Sequence, residues 1–206
     1  IRQQFSTPVN VAIGRFGIDF LREAGRRLAV DGDAPALGLV EPGYLFLATA
    51  AGRATLEANH AVQRAHGADV ALLAPEALRE RFPWLSTDGV ALGSLGLSGE
   101  GWFDGYALLQ AFRRKARALG ARYLAAEAAA LGTDGGRVTH VALADGAGLA
   151  CDAAVIAAGA WSSRIAATLG IDLPVRARRR SVFVFECPEA LPRCPLLIDP
   201  SGLWFR

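Results

Sequence analysis

Apolar residues recur at three- and four-residue steps through Val9, Ile13, Phe16, Phe20, Ala24 and Leu28, a spacing that draws one stripe along an α-helix. Thr7-Pro8 supplies the start signal, a capping hydroxyl followed by a proline at the first helical position. Pro42-Gly43 marks a turn, and residues 44–48 read as a buried strand. A second helix is expected over 52–65, stopping at Gly67, then a short strand over 70–73 and a brief helix opened by Pro75. Small residues alternate with apolar ones over 90–97, which predicts another strand.

Beyond that point the pattern changes. Asp104 is placed to cap a helix that runs to Leu119 and stops at Gly120. Strand 121–127, a hairpin over 137–152 turning at Asp145-Gly146, apolar strand 154–157 and a helix over 161–169 follow. Residues 181–186 and 196–205 return to strand patterning. Helix, strand, hairpin, strand and helix in this order suit a nucleotide-binding α/β domain.

Composition narrows the class. Of 206 residues, 52% are hydrophobic, yet every apolar run is broken by charge well short of a membrane span. The net charge of +2 comes from interspersed residues, and the short run Arg178-Arg179-Arg180 reads as a solvated strand edge, so nucleic acid is not an expected partner. Cys151, Cys187 and Cys194 lack metal or disulfide spacing and fit buried thiols in a reducing, cytoplasmic compartment. His60, His66 and His140 are dispersed and read as structural or surface residues, so no metal is expected. The alanine-rich, lysine-poor composition points to a bacterial source with a GC-rich genome. Both ends of the chain are abrupt, as in an excerpt of a longer protein.

Three segments carry candidate chemistry. Strand 154–157 ends at Ala158-Gly159-Ala160-Trp161-Ser162, where small residues let backbone approach a ligand; the alternative is a tight turn with Trp161 as a core plug. Arg2, beside Gln3, Gln4 and Phe5, offers a guanidinium able to grip a carboxylate, or is a plain surface residue. Glu100-Gly101-Trp102-Phe103 precedes the Asp104 cap, and the plainer reading is a hydrophobic staple under the helix start.

In this order, Arg2, Gly43-Tyr44-Leu45, Glu100-Gly101-Trp102-Phe103, Ala158-Gly159-Ala160-Trp161-Ser162 and Leu173-Pro174-Val175 resemble the D-amino-acid oxidase, sarcosine oxidase and glycine oxidase family along essentially the whole chain. Gln3-Gln4-Phe5-Ser6 and Arg81-Phe82-Pro83-Trp84 look most like a mitochondrial branch of that family associated with complex I assembly. The resemblance implies a mixed α/β fold, a partial Rossmann-like FAD-binding domain with an inserted mixed-sheet substrate domain. It divides the chain into an FAD-domain helix (1–30), the first part of the substrate domain (31–105), the middle of the FAD domain (106–172) and the second part of the substrate domain (173–206).

The same resemblance implies the site. Arg2 falls where the family holds a substrate carboxylate, and Phe205 where it often has a pocket tyrosine, keeping the aromatic wall without the hydroxyl. Ala129 falls where backbone meets the adenine, and Ala158, Gly159 and Trp161 lie at the strand end against FAD. The implied reaction takes a hydride from the carbon beside the amine of a small amino acid or secondary amine, with no general base required if the amine arrives neutral. A catalytically quiet flavoprotein scaffold is the alternative, and an NAD-linked dehydrogenase a more distant one. No GxGxxG fingerprint occurs in the 206 residues, so the chain by itself is expected to hold FAD poorly.

Overall fold

Helix α1 (Pro8–Arg27) starts at Pro8 as expected, with Thr7 in the N-cap position, but the Thr7 hydroxyl makes no capping hydrogen bond. The computed structural model describes all residues, 1–206. In chain order follow β1 (Tyr44–Ala48), α2 (Arg53–Ala65), β2 (Val70–Leu73), α3 (Pro75–Arg81), β3 (Leu92–Gly96) and α4 (Gly105–Ala118). Then come β4 (Ala128–Asp134), β5 (Arg137–Leu143), β6 (Gly148–Ala150), α5 (Ser162–Ala167), β7 (Leu196–Ile198) and β8 (Trp204–Phe205). The fold is mixed α/β, and no helix is long and apolar enough to cross a membrane.

The chain divides into two compact units, Ile1–Ala121 with Cys187–Arg206, and Arg122–Glu186. The first is built on a five-stranded sheet in the order β2-β3-β1-β7-β8. β1 runs antiparallel to β3 and parallel to β7, so the sheet is mixed. Leu45 and Leu47 of β1, Leu95 of β3 and Leu197 of β7 meet Leu78 and Phe82 in one core. A second core gathers Leu21, Ala24 and Leu28 against Leu37 and Ala111. Asp104 caps α4 by accepting from the backbone N–H groups of Tyr106 and Ala107, both at 2.9 Å. Phe103 before the cap and Leu108 after it pack on that second core, which is the staple expected there.

Helix α1 buries the C-terminal half of the expected stripe, Ala24 and Leu28 with Phe20 packed beside them, but not its first half. Val11, Gly14, Ile18, Leu21 and Ala24 turn inward, whereas Val9, Ile13 and Phe16 are 62%, 62% and 71% exposed. The first half of the helix is apolar on two sides, and a single-stripe reading selects there the longer-residue side rather than the one that fits. Gly14 explains the choice: a Cβ there would collide with the backbone carbonyl of Arg2, so the bare face of the helix is the one that can close on residues 1–5.

The second unit is an antiparallel sheet, β4-β5-β6, with α5 tied to it where Thr168 Oγ1 accepts from Leu131 N–H at 3.2 Å. The expected hairpin turns at Asp145-Gly146, with Gly146 at φ 87°. Residues 121–127, 154–157 and 181–186 are not strands, contrary to the sequence pattern. Val155 is 92% exposed, and Val182, Phe183, Val184 and Phe185 all exceed 60%. Strand-like composition makes a strand only when a neighbour completes the ladder, and no ladder forms on these segments, where Glu127 has a single backbone bond from Ala144. The cysteines are also less buried than expected, since Cys187 is exposed and the other two half-buried.

Candidate active site

Residues 1–5 cross the first unit as an irregular segment, and such a segment must send its buried polar groups somewhere. They go to Glu100, whose side chain is fully buried. Its Oε1 accepts from the backbone N–H groups of Gln3 (2.6 Å) and Gln4 (3.0 Å). Its Oε2 accepts from Gln4 Nε2 (2.8 Å) and the N–H of Tyr44 (3.3 Å). Burial pushes the Glu100 carboxyl above the ordinary carboxylate range, against the downward pull of those four donors. Gln4 carries the network on, donating to the Tyr44 carbonyl at 3.0 Å and accepting from Ser94 Oγ at 2.7 Å. Gln3 Nε2 donates to the Gly99 carbonyl at 2.9 Å. Arg2 therefore belongs to a segment tied to β1 and β3 through the Gln4 side chain and to the 97–101 loop through its backbone.

That loop is shaped for the carboxylate. A Cβ on Gly96 would overlap Glu100 Oε2, and one on Gly99, at φ 72°, would meet Gln3 Nε2. Glu41 holds the loop from outside by accepting the Gly99 N–H at 3.0 Å, while Arg22 of α1 holds Glu41 at 2.6 Å and keeps its carboxyl below the ordinary range. Gly96→Ala is expected to lower stability by about 1–3 kcal/mol, read as a shift in the denaturant midpoint with unchanged slope.

The Arg2 guanidinium lies over two rings, 4.7 Å from the centre of Phe5 and 5.5 Å from that of Phe46. It forms no ion pair. Beside it opens a cavity of about 310 Å³ lined by Arg2, Phe5, Tyr44 and, from α1, Asn10, Ile13 and Gly14. A half-buried cation without a counterion, on an aromatic floor next to a cavity, is suited to receive an anionic group. Burial raises the Tyr44 hydroxyl pKa, with the positive charge of Arg2 opposing.

Phe205 is not part of this surface. It shares a rung with Leu197, which shares one with Leu45, and all three face the leucine core. It lines a separate cavity of about 350 Å³ that holds Asp88 and Asp199 and no cation. On the next rung Trp204 opposes Ile198, which opposes Phe46, so Trp204 shares the face of Phe46.

Ala129, Ala158, Gly159 and Trp161 all belong to the second unit. Ala129 falls between rungs, because the β4–β5 register shifts between Ala128 and Ala130. Such a bulge takes a residue out of the ladder. Gly159 has φ 55° and a would-be Cβ there meets nothing within 4 Å, so its conformation, not lack of room, calls for glycine. Trp161 is 64% exposed and is not a core plug. Sequence reasoning missed Glu100 as a buried hub, although a single charge among Gly96, Gly99 and Gly101 was a usable signal of close packing.

The family model for FAD dependent oxidoreductases matches residues 1–205. The chain belongs to that family. Its cofactor is FAD. A Xenopus laevis protein, FAD-dependent oxidoreductase domain-containing protein 1, is 40% identical over the full chain, which spans 48% of that relative's length. A D-amino-acid oxidase of Bradyrhizobium diazoefficiens is 34% identical over 48% of the chain and 24% of its own length. Among solved structures, L-proline dehydrogenase from P. horikoshii shares the fold with a TM-score of 0.73 and 22% identity, covering 99% of this chain and 54% of its own. The composition-based expectation of a bacterial source finds no support, since a full-length match at 40% identity is amphibian.

Proposed function

We propose that the full-length protein oxidises the C–N bond of a small amino acid or carboxylated secondary amine. The observation that carries this reading is Arg2, an unpaired guanidinium on an aromatic floor, fixed by a buried hydrogen-bond network and bordering a cavity. In this reading Arg2 grips the substrate carboxylate, and Phe5, Phe46 and Tyr44 exclude water around it. The bacterial relative, a D-amino-acid oxidase, points the same way. The FAD, when bound, supplies the hydride acceptor, and the resulting imine is hydrolysed by water. Phe205, expected as an aromatic wall of the substrate pocket, has no part in this reading, and Phe46 takes that role.

Residues of the second unit fit the cofactor. Ala129 at the bulge offers backbone suited to meet an adenine edge; Ala158 and Gly159 present an open, small-residue surface, and Trp161 an exposed ring. Two domain assignments go with this: 106–172 as the middle of the FAD-binding domain with 1–30 its helix, and 31–105 and 173–206 as parts of the substrate domain. The 206 residues alone are expected to purify with far less than stoichiometric FAD, measured by visible absorbance, because they contain no GxGxxG loop to hold the pyrophosphate.

The reading is tested by mixing full-length flavoprotein anaerobically with a panel of α-amino acids and secondary amines. Bleaching of the flavin by at least one, slowed by about a hundredfold or more in Arg2→Ala, is the expected result. No bleaching across the panel would favour a flavoprotein that does no amine chemistry.

A further inference from the structure

A second guanidinium reaches the aromatic surface that carries Arg2. Trp204 shares the face of Phe46, and alternation along the strand brings Arg206 to that side as well. There its guanidinium carbon lies 4.8 Å from the centre of the Trp102 ring, and Trp102 is itself anchored by paired backbone hydrogen bonds to Val40 (2.9 and 3.0 Å). The Tyr44 phenol feels the positive charge of both Arg2 and Arg206 and the opposing charge of Glu100. Neither arginine forms an ion pair. The buried carboxyl nearby, Glu100, has both oxygens taken by four N–H donors and has no lone pair directed at either guanidinium.

Two like charges around one half-buried ring, each stacked on its own aromatic platform and neither ion-paired, together outweigh the opposing charge of Glu100 on that ring and leave a net positive potential there. A ligand bearing two negative charges relieves it far better than a ligand bearing one. The separate platforms, Phe5 and Phe46 for Arg2 and Trp102 for Arg206, hold the two forks apart and favour one carboxylate on each over one shared between them. We propose that Arg206 is a specificity-determining residue that selects an amine substrate carrying a second carboxylate. The proposal rests on the reading of Arg2 as the anchor of the first carboxylate.

The test is titration of the full-length flavoprotein with unreactive acids, following the flavin absorbance band. Acetate and propionate serve as monocarboxylates, and malonate, succinate and glutarate as dicarboxylates. A second charge-assisted contact predicts that at least one dicarboxylate binds about ten- to a hundredfold tighter than the monocarboxylates. Arg206→Gln should erase that preference while leaving monocarboxylate affinity within about twofold, and Arg206→Lys should restore part of it. Unchanged FAD content in both variants shows that folding is not the cause. Three results overturn the proposal: no preference in the unaltered protein, a preference that survives Arg206→Gln, or equal weakening of mono- and dicarboxylates by that change. Arg2→Gln separates the two readings. If it weakens monocarboxylates while Arg206→Gln leaves the preference intact, only the second-carboxylate inference fails; if it leaves monocarboxylates unaffected, the Arg2 reading fails first.

Discussion

Replacing Arg2 by alanine is expected to lower kcat/KM of the full-length protein toward the amino-acid substrate proposed above by about a hundred- to ten-thousandfold. A charge-assisted hydrogen bond contributes on the order of 1.5–3 kcal/mol, and an unanchored substrate loses further rate through misorientation. Both terms apply because the Arg2 guanidinium forms no ion pair and no other side chain on that cavity wall is cationic. Arg2→Lys keeps the charge and loses the planar fork, so a smaller loss of about tenfold is expected, expressed in KM more than in kcat. Steady-state kinetics with one substrate and its decarboxylated amine decide the matter, for Arg2→Ala should penalise the acid and leave the plain amine unchanged. Equal losses on both would mean that the change acts through the fold.

Removal of the Glu100 carboxylate is expected to produce the largest loss of stability. Glu100→Ala orphans three backbone N–H groups and the Gln4 amide, all of them buried or half-buried, and water admitted to the hole compensates only part of this. About 3–5 kcal/mol is expected, measured by denaturant unfolding of the holoprotein. Glu100→Gln fares better in volume but turns an NH₂ group toward two donors on whichever side its nitrogen takes, so it too destabilises. The pH dependence has a definite sign. Because burial raises the Glu100 pKa above the ordinary value of 4.5, the native protein holds that proton more tightly than the unfolded chain does. The associated stability is complete below the ordinary value and is lost as pH rises through the raised one. In Glu100→Gln that slope should flatten, and an unchanged slope would mean that another group is responsible.

Features written in adjacent residues were legible in the sequence. Thr7-Pro8, the Asp104 cap and the Asp145-Gly146 hairpin turn are each made by neighbours, and each stands where its local chemistry puts it. What depended on distant partners was not. The inward face of α1 is chosen by the close approach of the Arg2 backbone to Gly14, which helical periodicity does not record. Residues 154–157 and 181–186 have strand composition, but a strand also needs a ladder, which is a property of two segments. Within the site, Arg2 was visible through its ordered motif context, whereas Glu100 was not, because its partners Gln3 and Gln4 lie 97 and 96 residues away. The contrast between Phe205 and Trp204 is a matter of one-residue parity. Sequence places both in the same short strand, and only the register with Leu197 and Ile198 shows which side chain faces the leucine core.

The central claim is that this family member acts on a carboxylated amine through Arg2, and a matched pair of compounds tests it most directly. Full-length flavoprotein is mixed anaerobically with an amino acid that reduces it and, separately, with the amine left when that amino acid loses its carboxylate. The account predicts rapid loss of the flavin's visible absorbance with the acid, reduction slower by about a hundredfold or more with the amine, and the same slow rate for both compounds in Arg2→Ala. Equal reduction rates for acid and amine in the unaltered protein would contradict it.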